Sequence, residues 1–243
     1  MRHHRRKPSL SKSIDAQTLE KNMNMIMSRL MLVLAVAALA GCNLSFNSGV
    51  KGSGVSKSEA RDAQDFQEIE LEGVGTVNVN VGQEFGVEIT TDDNLLVLIE
   101  TTVKDGVLTI RTKESISPTS DLIYEISLPT LSKVKVSGAA SIDLRDVAGS
   151  TLEIEVNGAS TITGTGTVDD LGIEVNGASS ANLKQLMAKR IVVEMSGASE
   201  STIFASEQVD AEVNGVGSVS IHGSPATINK EVNGIGSVSL ATK

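Results

Sequence analysis

The sequence predicts an all-β protein whose chain coils in units of about 19 residues, with a strand-rich insert near the start of the array. Three observations carry that prediction. A Val-Asn/Ser-Gly motif recurs with pivotal glycines at Gly138, Gly158, Gly177, Gly197, Gly215 and Gly234, spaced 20, 19, 20, 18 and 19 residues apart. A near-constant period of this length marks a repeat architecture. Apolar residues alternate with polar ones on both sides of each glycine, the period of a half-buried strand. Only 2% of residues are aromatic and Tyr124 is the single Tyr, so the core must be slim and built from Val, Ile, Leu and Ala.

The chain opens with a targeting segment. Arg29 precedes an apolar run of 11 residues from Leu30 to Ala40, long enough for a signal-peptide core and too short to span a bilayer. Residues 1–22 are hydrophilic, and Met23, Met25 or Met27 would each start a conventional short signal, so residues 1–41 read as signal peptide. Leu39-Ala40-Gly41-Cys42 resembles the lipobox of bacterial lipoproteins. That resemblance implies cleavage after Gly41, a diacylglycerol on the Cys42 thiol and an acylated amino terminus. Cys42 is the only cysteine, which excludes an intrachain disulfide. Residues 42–65 are rich in Ser, Gly, Asn and Lys and read as a flexible tether with a typical reach of about 25 Å.

The folded domain is predicted over residues 66–243. Gln67 to Val81 alternates cleanly, and Gly73-Val-Gly-Thr-Val matches Gly215-Val-Gly-Ser-Val and Gly234-Ile-Gly-Ser-Val, a first copy set apart from the rest. Between them lies an insert of short apolar runs, in which Lys104-Asp-Gly106 signals a hairpin. The array proper runs from about Leu131 to Leu240. Each unit is a strand, a tight Asn-Gly or Ser-Gly corner and a second strand, followed by about six residues of return. Two arrangements satisfy the corner: antiparallel hairpins, or one coil per unit of a parallel β-helix. The coil is favoured because like sits on like in every column. The position before each glycine holds Ser137, Asn157, Asn176, Ser196, Asn214 and Asn233; the position after it holds Ala139, Ala159, Ala178, Ala198, Val216 and Ile235. Six coils at strand spacing would make an array about 29 Å long.

The repeat, the insert and the lipobox together are similar to the bacterial family described as putative auto-transporter adhesin, head GIN domain. The resemblance covers about Phe66 to Leu240. It implies a right-handed β-helix, a cell-envelope location and an adhesive role, and it brings no catalytic residues.

Charge and side-chain inventory narrow the function. The net charge is −9, and removing residues 1–41 leaves 14 basic against 28 acidic residues. Such a chain is repelled by nucleic acid. His222 is the only histidine after the signal region, sugar-stacking aromatics are nearly absent and every turn is short, which argues against a catalytic cleft. Glu155, Glu174, Glu194, Glu212 and Glu231 recur three residues before their glycines and predict an outward stripe. This stripe reads first as a solvated face, and second as a row of weak Ca²⁺ sites thickened by Glu153 and Asp210. No other cofactor is expected.

The expected function is therefore a non-enzymatic, lipid-anchored envelope protein whose repetitive surface binds a surface glycan or a protein. Its expected place is the outer membrane of a Gram-negative bacterium. A structural or self-associating lipoprotein is the alternative, and a polysaccharide-active enzyme a more distant one.

Overall fold

The computed structural model describes residues 49–241. The signal segment, Cys42 and the first part of the predicted tether lie outside the described residues. The strands are β1 (Val50–Lys51), β2 (Ser56–Arg61), β3 (Glu68–Val81), β4 (Gly86–Asp92), β5 (Ile99–Lys104), β6 (Val107–Thr112), β7 (Ile116–Ser117), β8 (Ile123–Leu128), β9 (Lys133–Gly158), β10 (Thr161–Gly177), β11 (Ser180–Gly223) and β12 (Thr227–Leu240). A single 3₁₀ turn, Leu96–Leu98, precedes β5. The domain is all-β, as predicted.

The long strands follow one another as hydrogen-bonded neighbours in the order β12-β11-β10-β9-β3. Every pair among them is parallel. Their register puts like on like: Gly158 lies beside Gly177, Gly177 beside Gly197, and Val156, Val175 and Met195 form one row. The first copy joins the same column, with Gly73 beside Gly138. Antiparallel hairpins are thereby excluded for these corners. At 44 residues, β11 would measure about 145 Å if extended. It turns back on itself instead, and a Cβ built on Gly215 would strike the Gly197 carbonyl oxygen.

The corner works because its glycine meets two demands at once. Gly177 has a φ of 135°, which an L side chain rarely adopts. Its missing Cβ also leaves room for the Gly158 carbonyl oxygen in the unit before. That oxygen in turn accepts the Ala178 N–H at 2.8 Å. Inward-facing side chains on both sides of the corner, among them Leu152, Ile154, Val156, Leu171, Val193 and Ile203, are at most 3% exposed and form one continuous slim core.

Three features differ from the sequence expectation. The return segments are themselves paired strand, with Thr167 beside both Ala148 and Met187, and only a bulge near Thr165 interrupts the ladder. In the insert, β6 and β8 lie end to end along the free edge of β3, beside Glu68–Glu72 and Thr76–Val81. Then β5 pairs antiparallel with β6 and β4 with β8, which ends the run of parallel pairs. Lastly, residues 50–61, read from composition as tether, form β1 and β2. Here β2 pairs antiparallel with β4 from Ser56 beside Asp92 to Arg61 beside Val87, and β1 pairs with β7. The predicted hairpin at Lys104-Asp-Gly106 is present: Asp105 and Gly106 have φ of 53° and 81°, as a two-residue turn with positive φ at both positions requires.

Candidate functional site

Outward side chains of the stack form two long faces that meet at the glycine corner. Before the corner, Lys135 stands beside Glu70, Glu155 beside Glu174, Glu174 beside Glu194, and Glu212 beside Glu231. Glu155, Glu174 and Glu194 therefore stand in one row, and Glu212 stands beside Glu231. Carboxylates on adjacent strands repel one another, and the neighbouring side chains answer that repulsion. Each of Asn157, Asn176, Asn214 and Asn233 donates its side-chain amide to the glutamate two residues earlier, at 2.7–3.0 Å. Asn176 also donates to Asn157 Oδ1, and Asn233 to Asn214 Oδ1. Only Glu194 has a serine, Ser196, in place of that asparagine.

The stripe ends on lysines. Lys133 Nζ lies 3.2 Å from Glu153 and 3.6 Å from Glu155, and Lys135 Nζ lies 3.1 Å from Glu70. Hydrogen bonds that Lys133 donates to Glu153 and Lys135 to Glu70 raise both lysine pKa values above the ordinary lysine value. Between the two ends Gly172 leaves a dip of about 250 Å³ beside Glu153, Glu174 and Glu194. The carboxylates run along a line and do not converge. Among the described residues no group of three or more His, Cys, Asp or Glu is placed to hold a metal ion.

At the corner runs a hidden ladder that the sequence reading missed. Ser160, Ser179 and Ser199, two residues after their glycines, are at most 8% exposed. The Ala140 N–H donates to Ser160 Oγ at 3.1 Å and the Ser160 N–H to Ser179 Oγ at 3.0 Å. In return Ser179 Oγ donates to the Gly158 carbonyl and Ser199 Oγ to the Gly177 carbonyl, each at 3.2 Å. Each serine thus bolts its own repeat unit to the one before. The signal for it was the recurring Ser of Gly-Ala-Ser, but nothing in the sequence says that this position turns inward. Above the ladder lies an open trough of about 600 Å³, floored by Ala159, Ala178 and Ala198 and closed by Val216 and Ile235. Ile235 is 78% exposed.

The face after the corner is polar and largely uncharged. Ser141, Thr161 and Ser180 share a row, as do Asp143, Thr163 and Asn182, while Ser218 and Ser220 stand beside Ser237 and Ser239. Thr163 Oγ1 donates to Asp143 Oδ1 at 2.8 Å. Arrays of this kind can hydrogen-bond a repetitive ligand; they do not assemble a nucleophile, a base and an oxyanion site. His222 is half-buried near the end of β11.

A second polar cluster lies in the insert. Asp92 is fully buried at the end of β4 and accepts hydrogen bonds from the Gly54 N–H (2.6 Å), the Thr119 N–H (2.8 Å), the Ser120 N–H (3.0 Å) and the Ser120 hydroxyl (3.2 Å). Burial works to raise its pKa, but those donors outweigh it and hold the carboxyl below the ordinary carboxylate value. All four bonds are internal to the fold, so Asp92 ties chain segments together.

Residues 65–225 match the family described as "Putative auto-transporter adhesin, head GIN domain". The chain belongs to this family. The head GIN domain here is also similar to a solved putative adhesin from Bacteroides fragilis, with 21% identity and a TM-score of 0.64 over 79% of this chain and 100% of that one. A putative adhesin from Parabacteroides merdae gives 21% identity and a TM-score of 0.52 over 79% of this chain and 99% of that one. At that identity the likeness speaks for the fold alone. No curated protein matches the sequence. These relatives are described as adhesins and not as enzymes. Of the residues predicted for this head GIN domain, Glu155, Glu174 and Glu194 share a row, Glu212 stands beside Glu231, and Cys42 lies outside the described residues. No helix among the described residues is long and apolar enough to cross a membrane.

Proposed function

We propose that this chain is a non-enzymatic adhesin of the bacterial cell envelope, anchored in the outer membrane by lipid on Cys42, whose head GIN domain binds through its repetitive surface. The domain is read as a parallel β-helix. Strand-to-strand crossovers between parallel neighbours are overwhelmingly right-handed, so the coil is taken as right-handed. The observation that carries the function is the register: rows of like side chains on two faces that meet at an open trough. A regular row of weak contacts suits a polymer or a repetitive partner, because each added contact raises avidity. The face after the corner, with its Ser, Thr and Asn rows, fits a surface glycan; the acidic face before it repels anionic ones. The family and the relatives called adhesins support the same reading.

The test is binding of the mature protein to a panel of envelope glycans and surface proteins, repeated with Thr161→Lys/Ser180→Lys and with Glu174→Lys. Loss of binding in the first variant alone fits the glycan face. A chain that binds nothing on the panel, or hydrolyses a glycan, overturns the reading. Anchoring is tested apart: Cys42→Ser should move the protein from the salt-washed membrane fraction to the soluble one.

One observation favours a second reading, self-assembly. The outer edge of β12 leaves Ile228, Val232 and Leu240 between 37% and 54% exposed, where earlier coils bury the matching positions. An open edge of this kind can pair with another chain.

A further inference from the structure

The domain meets the preceding chain through a short arm, Gly49 to Val55, and that arm is bound tightly to the fold. The Val50 N–H donates to the Ser115 carbonyl at 2.8 Å, and Asn94 Nδ2 donates to the Lys51 carbonyl at 2.8 Å. A Cβ on Gly52 would strike the Asp92 carboxylate, so the arm lies directly against that buried group. The Ser53 N–H donates to Asn94 Oδ1 at 2.8 Å, and Thr119 Oγ1 donates to the Gly52 carbonyl at 3.1 Å. The arm holds the fold from Gly49 onward, and residues 43–48 lie between it and Cys42 in the sequence. Seven residue steps span at most about 25 Å even when fully extended.

The surface around this arm combines exposed apolar side chains with lysines. Val55 is 59% and Val97 68% exposed, and both belong to the same cluster of segments. The Asp93 N–H donates to the Val55 carbonyl, and Lys113 Nζ donates to the Val97 carbonyl at 3.3 Å. Lys51, Lys57 and Lys113 stand here exposed among Asp93, Glu114 and Asp121, with Lys113 Nζ 3.8 Å from Glu100, while the glutamate stripe lies on β9 to β12. Exposed valines beside lysines suit the interface of a bilayer carrying anionic headgroups. An acidic stripe would not.

We propose that this pole of the domain, built by the arm, the 3₁₀ turn and β7, is a lipid-contact surface held against the bilayer by the arm. The proposal rests on the lipid anchor on Cys42. It reverses the expectation of a loose tether of some twenty residues: the arm leaves the domain little freedom to tumble. Since β2 and β12 stand at opposite ends of the strand order, β12 is then the coil farthest from the membrane.

The experiment uses the full chain, matured in cells and reconstituted into vesicles of phosphatidylethanolamine and phosphatidylglycerol. Val55→Cys, Val97→Cys and Ile235→Cys each add one exposed thiol for a bimane label, since the Cys42 sulfur is taken by its thioether to lipid. Quenching by doxyl-labelled lipid should be several-fold stronger at positions 55 and 97 than at 235. Equal quenching at all three, in protein that still floats with the vesicles, overturns the lipid-contact surface and leaves the anchor standing. A chain that neither floats nor protects Cys42 from the label removes the anchor, and the contact surface with it.

Discussion

The side-chain amide of Asn176 donates to Glu174 Oε1 at 2.8 Å, two residues back along the same strand. Repeated in three other units, this bond gives most of the stacked glutamates a donor of their own and leaves Glu194 without one. Differences between members of one column therefore become measurable.

Glu194→Gln should raise the melting temperature, because it removes a charge between Glu174 and the glutamate of the following coil and breaks no asparagine bond. Relief of one such pair is worth a few tenths of a kcal/mol. Glu155→Gln should be neutral or destabilising, because Glu155 faces Lys133 and Lys135. Millimolar Ca²⁺ should stabilise no more than NaCl at matched ionic strength, where screening is equal. Thermal melts of both variants with either salt check all three statements; a Ca²⁺ gain that Glu194→Gln abolishes would revive the cation sites.

Gly177→Ala should be costlier than Gly73→Ala. Both positions have positive φ, at 135° and 151°, with strain of about 1–3 kcal/mol for a side chain there. Only at Gly177 does the new Cβ also run into the carbonyl of the preceding unit, since nothing lies within 4 Å of a Cβ on Gly73. Ala178→Ser, at an exposed corner position, should be near neutral. Urea unfolding of the three variants gives the order.

The serine ladder can be cut at a single atom. Ser179→Ala removes the acceptor of the buried Ser160 N–H and should cost about 1–3 kcal/mol. Ser180→Ala, one residue on and exposed, is the control and should change stability by less than about 0.5 kcal/mol. Equal melts for the two would show that the hydroxyl is dispensable.

Asp92 makes stability depend on acid. Its folded pKa lies below the ordinary carboxylate value, so its contribution is complete above that value and is lost as pH falls through the lower folded pKa. Asp92→Asn should accordingly be less stable than wild type at neutral pH, and the gap should narrow below about pH 4. Melting curves of the pair between pH 7 and pH 2 test this; a gap that widens in acid would contradict the assigned direction.

Lys230 guards the open end of the stack. It occupies an inward column held elsewhere by Ile154, Ile173 and Val193, and its Nζ donates to the Val238 carbonyl at 3.3 Å. An inward-pointing charge on an edge strand discourages pairing with another chain. Lys230→Val should therefore increase self-association, read by sedimentation velocity over a concentration series; an unchanged monomer fraction would remove the guard role.

Much of this was legible in the residues. The six glycines fixed the period, and identical columns favoured parallel coils over hairpins, because only parallel stacking sets Asn157 beside Asn176 and Val156 beside Val175. Asp105-Gly106 announced its hairpin by conformational preference alone. What escaped depends on partners distant in sequence. Ser56 to Arg61 has the composition of a linker, and only its pairing with β4 makes it a strand. Gly52 to Gly54 is ordered by a carboxylate some forty residues away. Ser179 looked like one more polar corner residue, since alternation does not persist through a corner and cannot say which side is buried. The return segments lack alternation for the same reason, yet their backbones still find partners one unit away.

The register of the glycine column also bears on how such a protein can change over generations. Inserting or deleting one whole unit leaves every remaining row aligned and shifts the far end by one strand spacing, about 4.8 Å. Val213-Asn-Gly-Val-Gly-Ser-Val and Val232-Asn-Gly-Ile-Gly-Ser-Val differ at one position, so their coding segments are natural partners for unequal recombination. Such exchange would lengthen or shorten the stack in whole steps while the chemistry of each face stayed constant. The length of the head thus becomes a heritable quantity with discrete values, separable from what the head binds.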